Sequence, residues 1–146
     1  MKRIHIHLSV KNIEKSVAFY SKLFGQEPTM IKNDYAKWML DDPRVNFAMS
    51  SHCGTERGVE HIGIQSENAE ELADVYGRLK EAGQPVLDEG EVTCCYAQSE
   101  KNWTSDPDGV VWEAFLSSGE ATHYGDRIDA EQVKTAKPPR KECCAP

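Results

Sequence analysis

Two stretches decide the fold: IHIHLSVKNIEKSVAFYSKLFG, residues 4–25, and EHIGIQSENAEELADVYGRLKEAG, residues 60–83. They are two copies of one pattern. Aligning His5 with His61 brings five further identical pairs into register: Ile6 with Ile62, Asn12 with Asn68, Glu14 with Glu70, Tyr20 with Tyr76, and Leu23 with Leu79. The chain therefore contains an internal repeat of one supersecondary unit.

Each copy begins as a strand and continues as a helix. In the first copy the apolar residues of 4–8 alternate with His5 and His7, which is the period of a strand with one polar face. Asn12 and Asn68 then stand where a helix N-cap is expected. Apolar side chains follow at helical spacing in both copies: Ile13, Val17, Tyr20 and Phe24 in the first, and Leu72, Val75, Tyr76 and Leu79 in the second.

Short strand-like runs follow each helix. They cover 35–40 and 45–49 in the first half, and 92–98, 101–105 and 110–116 in the second. We therefore predict an α+β fold of two βαβββ modules, residues 3–50 and 59–117, joined by a polar linker at 51–58. The single domain is predicted to span 1–118. The Lys- and Pro-rich residues 119–146 are expected to form a flexible tail.

Composition limits the classes of function. A chain of 146 residues is long enough for one domain with one core. The net charge of −7 argues against nucleic acid as a partner, which requires a basic face, and no apolar run is long enough to span a membrane. The first ten residues are charged and then alternate, unlike an export signal. A cytoplasmic location, with the five cysteines present as thiols, is therefore expected.

The duplicated unit, together with SDPDGVVWEAF at 105–115, resembles the vicinal oxygen chelate superfamily, also called glyoxalase/bleomycin-resistance/dioxygenase proteins. The resemblance covers roughly residues 3–117. It implies a curved mixed sheet around a central cavity that holds a divalent metal. The residues at the implied metal positions are His5, His61 and Glu113. Ala48, the repeat equivalent of Glu113, cannot serve as a ligand, and two histidines with one carboxylate are typical of non-haem Fe(II) oxygenases.

His7 competes with His5 for the first metal position. It lies on the same strand face, two residues further on. The repeat favours His5, because His7 aligns with Gly63. A single strand histidine is more often a hydrogen-bonded core residue than a ligand, but repeat-related histidines in this fold favour a metal site.

Two adjacent cysteines, Cys94 and Cys95, lie in EVTCCYAQ at 91–98. TCCYAQ, followed by KNW and DPDG and preceded by YAKWML, resembles the trivalent organoarsenical C–As lyases and the related cadmium-induced proteins. That resemblance implies Fe(II)-dependent, O₂-consuming cleavage of the carbon–arsenic bond of methylarsenite or trivalent aromatic arsenicals, with arsenite as product. It also implies that Cys94 and Cys95 bind the arsenic, and thiolates are the soft ligands that a soft element prefers.

Adjacent side chains on a regular strand point to opposite faces of the sheet. For both thiols to bind one atom, residues 90–96 are expected to leave strand geometry and form a mobile loop that closes on the substrate. The alternative is that both cysteines only pack as small apolar residues in the core. The sequence assigns no role to Cys53, Cys143 or Cys144.

Two other functions fit the sequence. One is a metal-dependent thiol transferase of the fosfomycin-resistance kind, which needs cationic side chains around an anionic substrate. The other is a non-enzymatic protein that sequesters cadmium or arsenic. The oligomeric state is expected to be a monomer or a homodimer. Four aromatic residues belong either to the cavity wall or to the core: Trp38, Phe47, Trp103 and Trp112.

Overall fold

The computed structural model describes residues 1–51, 56–125 and 130–135. The first module comprises β1 (Arg3–Ser9), α1 (Ile13–Phe24), β2 (Met30–Ile31), β3 (Tyr35–Asp41) and β4 (Arg44–Ser50). The second comprises β5 (Gly58–Ser66), α2 (Ala69–Glu81), β6 (Val86–Cys94), β7 (Ala97–Ser105) and β8 (Val111–Glu120), and α3 (Ala130–Thr135) follows. Both modules have the predicted βαβββ order.

The eight strands form one mixed sheet in the order β2-β3-β4-β1-β5-β8-β7-β6. β1 and β5 are antiparallel at its centre, and each runs parallel to the last strand of its own module. His5 pairs with Gly63, and His7 pairs with His61. A pseudo-twofold axis through the Ile6–Ile62 pair exchanges these two pairings. The backbone register therefore agrees with the sequence repeat.

Two asparagine caps start the helices as predicted. The Asn12 side-chain oxygen accepts from the Lys15 N–H at 2.8 Å, and the Asn68 oxygen accepts from the Glu71 N–H at 2.9 Å. α1 packs its apolar stripe on the non-polar face of the first half-sheet, where the buried cluster comprises Leu8, Ile13, Ala36, Trp38, Leu40, Phe47 and Met49. Trp38 and Phe47 therefore belong to the core, and the opposite, polar face of the sheet remains for the cavity.

The sheet is curved strongly enough for remote strands to meet. Tyr35 on β3 and Tyr96 beside β6 have ring centroids 5.7 Å apart, although these strands lie near opposite ends of the sheet order. This curvature encloses a cavity on the polar face. The predicted α+β fold with a curved mixed sheet is confirmed.

The sequence predicted one strand at 92–98, but the structure has a turn between two strands there. β6 ends at Cys94, β7 begins at Ala97, and Cys94 pairs with Ala97 across a two-residue turn. The turn lacks Gly, Pro, Asn and Asp, the usual sequence signals of a hairpin, so local sequence rules do not predict its position.

Ordered structure continues past the predicted boundary at residue 118. β8 extends to Glu120, and Val133 of α3 is 1% exposed in a cluster with Trp103 and Val111. Residues 136–146, with Cys143 and Cys144, lie outside the described part of the chain, as does Cys53. None of the helices within the described ranges has the length and apolar character needed to cross a membrane.

Candidate metal and thiol site

A cavity of about 50 Å³ lies inside the curve of the sheet. Its wall includes all five residues that the sequence singled out: His5, His61, Glu113, Cys94 and Cys95. Trp103 and Phe115 contribute aromatic wall, whereas Trp112 lies on the other side of the sheet beside Leu79 of α2. The histidines, the carboxylate and the thiols therefore line one cavity.

His5, His61 and Glu113 converge inside this cavity. Glu113 Oε2 lies 3.6 Å from His5 Nε2 and 3.6 Å from His61 Nε2. All three side chains are buried, at 5%, 7% and 3% exposed. Two imidazole nitrogens and a carboxylate oxygen facing one another in a shielded cavity are a donor set suited to a divalent transition metal.

The orientation of His5 is set by the backbone. Its Nδ1 lies 3.0 Å from the carbonyl oxygen of Asn46 and donates to it, which leaves the Nε2 lone pair directed at Glu113. Burial lowers the pKa of His5 to about 4, in spite of the nearby carboxylate, so the ring is neutral at pH 7. A neutral imidazole held by a backbone carbonyl is the usual state of a metal-ligating histidine.

Gly63 lets His5 and Glu113 meet across the central strand. It pairs with His5 on one side and with Glu113 on the other. A Cβ at this position would lie 2.5 Å from the Glu113 carbonyl oxygen. The absent side chain therefore permits close approach of β5 and β8 and leaves space above the strand for the two flanking side chains.

His7 also reaches the cluster. One ring nitrogen each from His5, His7 and His61 lies within 4.8 Å of the others. The His7 and His61 rings stack with centroids 4.9 Å apart, and His7 Nε2 contacts Ser50 Oγ at 2.9 Å. The structure thus contains a second, overlapping set of three residues that could bind a metal.

Lys101 is the main site residue that the sequence did not reveal. Its Nζ donates to Glu113 Oε1 at 2.6 Å, and both groups are almost fully buried. Burial alone would raise the pKa of Glu113, but the attraction of Lys101 and the hydrogen bond with His61 hold that pKa well below its usual range. A lysine among polar strand residues normally indicates a solvated face, so only the fold could place it inside.

The two thiols meet because the hairpin turns between them. Cys94 ends β6, while Cys95 and Tyr96 adopt left-handed backbone conformations with φ of 58° and 61°. The two Sγ atoms are consequently 3.0 Å apart. The expected loop at 90–96 is therefore wrong in extent, because β6 continues to Cys94 and only two residues leave strand geometry. The required convergence of the sulfurs is present.

The pKa values of the two cysteine thiols are shifted in opposite directions. The hydrogen bond from the Cys94 thiol lowers the pKa of Cys95 to about 7 against the opposing effect of burial, with Lys101 and Tyr124 adding to the shift. The same hydrogen bond raises the pKa of Cys94. At neutral pH the pair therefore holds one readily formed thiolate beside a proton-donating thiol.

Comparison with known proteins places this architecture among described families. Residues 2–114 match the Glyoxalase/Bleomycin resistance protein/Dioxygenase superfamily. The trivalent organoarsenical cleaving enzyme of Bacillus sp. (strain MD1) is 40% identical, over 100% of this chain and 92% of that protein. The cadmium-induced protein CadI of Mycobacterium bovis is 30% identical, over 86% of this chain and 82% of that protein.

A solved structure supports the fold independently. The Mn(II)-bound glyoxalase from Novosphingobium aromaticivorans superposes with a TM-score of 0.55 at 19% identity, covering 88% of this chain and 44% of that one. At this level of identity the likeness concerns the backbone alone.

Proposed function

Because the chain belongs to the glyoxalase/bleomycin resistance protein/dioxygenase superfamily, we propose that it is an enzyme that cleaves the carbon–arsenic bond of trivalent organoarsenicals such as methylarsenite, releasing arsenite. The observation that carries this proposal is the pair of sulfurs, 3.0 Å apart, in the same cavity as the histidine–carboxylate cluster. The arsenical-cleaving relative, aligned over the whole chain, agrees with it.

His5, His61 and Glu113 would hold the metal ion in this proposal. We prefer this set to the one containing His7, because Glu113 supplies a negative charge and faces both other ligands, while His7 Nε2 is engaged with Ser50. Fe(II) bound there would supply the means to activate O₂, the second substrate, which would oxidise the carbon released from arsenic while the arsenic stays trivalent. Lys101 holds the other carboxylate oxygen and so fixes the direction of Oε2.

Cys94 and Cys95 would bind the arsenic. The Cys95 thiolate attacks first, because its pKa is lowered to about 7. For methylarsenite, two As–S bonds form and two As–O bonds break; the oxygens leave as two waters with the two thiol protons. Arsenic then retains its methyl group, which is not bonded to the protein. The second thiol adds a chelate advantage that one thiol lacks.

The wall of the cavity would exclude water around the reacting carbon. Tyr35, Trp103 and Phe115 line it, and the first two are 3% and 5% exposed. A shielded site strengthens charge interactions and limits side reactions of activated oxygen. Much of the rate acceleration would come from holding the arsenical beside the metal ion.

The proposal is tested with variants that separate the two halves of the site. We expect Cys94→Ser and Cys95→Ser to keep Fe(II) binding and lose tight binding of phenylarsenite, and His61→Ala to lose Fe(II) binding and keep the arsenical. None of the three should release arsenite. Titrations with each ligand, followed by aerobic turnover, measure this.

Wild-type arsenical cleavage by both serine variants would contradict the proposal. Arsenical binding at fixed stoichiometry without product would favour the sequestering alternative. The thiol transferase gains one argument, since Lys37 and Lys101 line the cavity. However, Lys101 is already neutralised by Glu113 at 2.6 Å, and a transferase does not require adjacent cysteines.

A further inference from the structure

The segment that follows β8 is fastened across the cysteine hairpin. The Ala121 N–H donates to the Tyr96 carbonyl oxygen at 2.8 Å, and Gly125 forms a bridge with Cys94. These contacts hold both sides of the turn. We call residues 121–125 the strap.

The strap packs closely against the backbone of the cysteine hairpin. Gly125 has a φ of 79°, and a Cβ there would lie 1.8 Å from the Thr93 carbonyl oxygen. Only glycine combines that backbone conformation with such close approach. The Tyr124 ring packs edge-on against Tyr35 and Tyr96, with centroids 6.1 Å and 5.7 Å away. The position of Tyr124 beside the thiols is thus set by the fold.

The Tyr124 hydroxyl faces the cysteine pair. Its oxygen lies 3.5 Å from Cys95 Sγ. A thiolate has no proton to give, so when Cys95 is ionised the phenol O–H must be the donor. A donor at this position stabilises the thiolate relative to the thiol.

We propose that Tyr124 is a positioning residue for the reactive thiol, and that the strap holds its hydroxyl against the Cys95 sulfur. Tyr124 lies beyond residues 2–114, the part of the chain that matches the superfamily. Its importance for catalysis rests on the proposed arsenical function, whereas its effect on Cys95 does not.

Several other groups act on the same sulfur, and they must stay constant in a test. They are Cys94, Tyr35, Lys37, Lys101 and Glu113. Tyr124→Phe keeps the ring contacts and removes only the hydroxyl. Tyr20→Phe is a matched control, since Tyr20 packs on the opposite face of the sheet against Phe24, Trp38 and Phe47.

The experiment follows alkylation of Cys95 by iodoacetamide from pH 5.5 to 9.5, with peptide mass spectrometry to separate it from Cys94. In Tyr124→Phe we expect the midpoint to move upward by about one pH unit and the rate below pH 7 to fall about tenfold, since a hydrogen bond to a charged group is lost. Above pH 9 the rates should converge. A purely structural role would change the rate at every pH.

Tyr20→Phe should give the wild-type profile. A Tyr124→Phe profile that superimposes on the wild type overturns the inference, and so does an equal shift in Tyr20→Phe. Because no arsenical is used, the two proposals fail separately. A shifted profile in a protein that never binds phenylarsenite would leave this inference standing and remove the proposed function.

Discussion

His5 has a pKa lowered to about 4 by burial, whereas in the unfolded chain it titrates near pH 6.5. Between these values the unfolded state binds more protons than the folded state, so the free energy of unfolding falls as the pH falls. We expect His5 to contribute a loss on the order of 2 kcal/mol between pH 7 and pH 5. Glu113 stays ionised in this window, because its folded pKa is lowered.

Urea unfolding of metal-free wild type and His5→Gln at both pH values measures this contribution. The variant removes the titrating ring and keeps a polar side chain of similar reach. Its stability should therefore decline less on acidification. Equal declines in the two proteins would show that His5 does not titrate as its burial requires.

The Lys101–Glu113 pair is the second residue-scale case. Its charges are 2.6 Å apart and almost without solvent. Lys101→Met leaves a buried carboxylate without its cation, which costs about 3–5 kcal/mol. Chemical denaturation measures the cost. Lys101→Met combined with Glu113→Gln removes both charges and should recover a large part of it; no recovery would argue against the ion pair as the cause.

The sequence indicated five candidate site residues and gave no signal for two others that contact them, Lys101 and Tyr124. His5, His61, Glu113, Cys94 and Cys95 followed from the repeat and from family resemblance, which report residue type and equivalent position. Lys101 and Tyr124 carry no such signal. A lysine inside a sheet is identified only by the curvature around it, and Tyr124 reaches the cavity only because the strap crosses the hairpin.

Among the elements, the β6–β7 hairpin shows where local sequence rules fail. Its two central residues, Cys95 and Tyr96, occupy the left-handed conformation that hairpins usually assign to Asn and Gly. Each non-glycine residue there costs about 1 kcal/mol or more. The strand-like pattern predicted an extended chain throughout 92–98. Contact between the two sulfur atoms, by contrast, requires the chain to leave strand geometry. At this position the tertiary structure overrides the local propensity.

The tips of two repeat-related hairpins meet over the cavity. Tyr96 Oη donates to Asp34 Oδ1 at 2.7 Å, and Lys32 Nζ lies 5.5 Å from the centroid of the Tyr96 ring. Asp34→Ala removes the acceptor and should loosen the β6–β7 tip on the side away from the strap. Because a hydrogen bond to a charged group is lost, we expect iodoacetamide to modify Cys95 about threefold to tenfold faster.

The rate is measured at pH 9.5, where the thiol is largely ionised and a small pKa change has little effect. Asp108→Ala, an exposed carboxylate in the turn before β8, is the control and should match the wild type. An unchanged rate in Asp34→Ala would mean that the contact between the tips does not limit access to the thiols.

At the scale of the whole molecule, most of the fold could be predicted from the internal sequence repeat. A central antiparallel pair, two flanking parallel strands and two capped helices all follow from two copies of one pattern. The differences lie where the copies diverge: β2 has two residues and β6 has nine. Such lengths depend on tertiary pairing at the sheet edge, for which the sequence offers no period.

Ala48 and Glu113 occupy equivalent registers, the former opposite His7 and the latter opposite Gly63. By the same register, Tyr35 on β3 corresponds to Lys101 on β7. The second half places an ion pair at these two positions, whereas the first half places Ala48 and Tyr35 there. For a protein designer, position 48 is therefore where a second carboxylate could be added: glutamate there would lie opposite His7 on β1 and opposite Lys37 on β3, a cation that already lines the cavity.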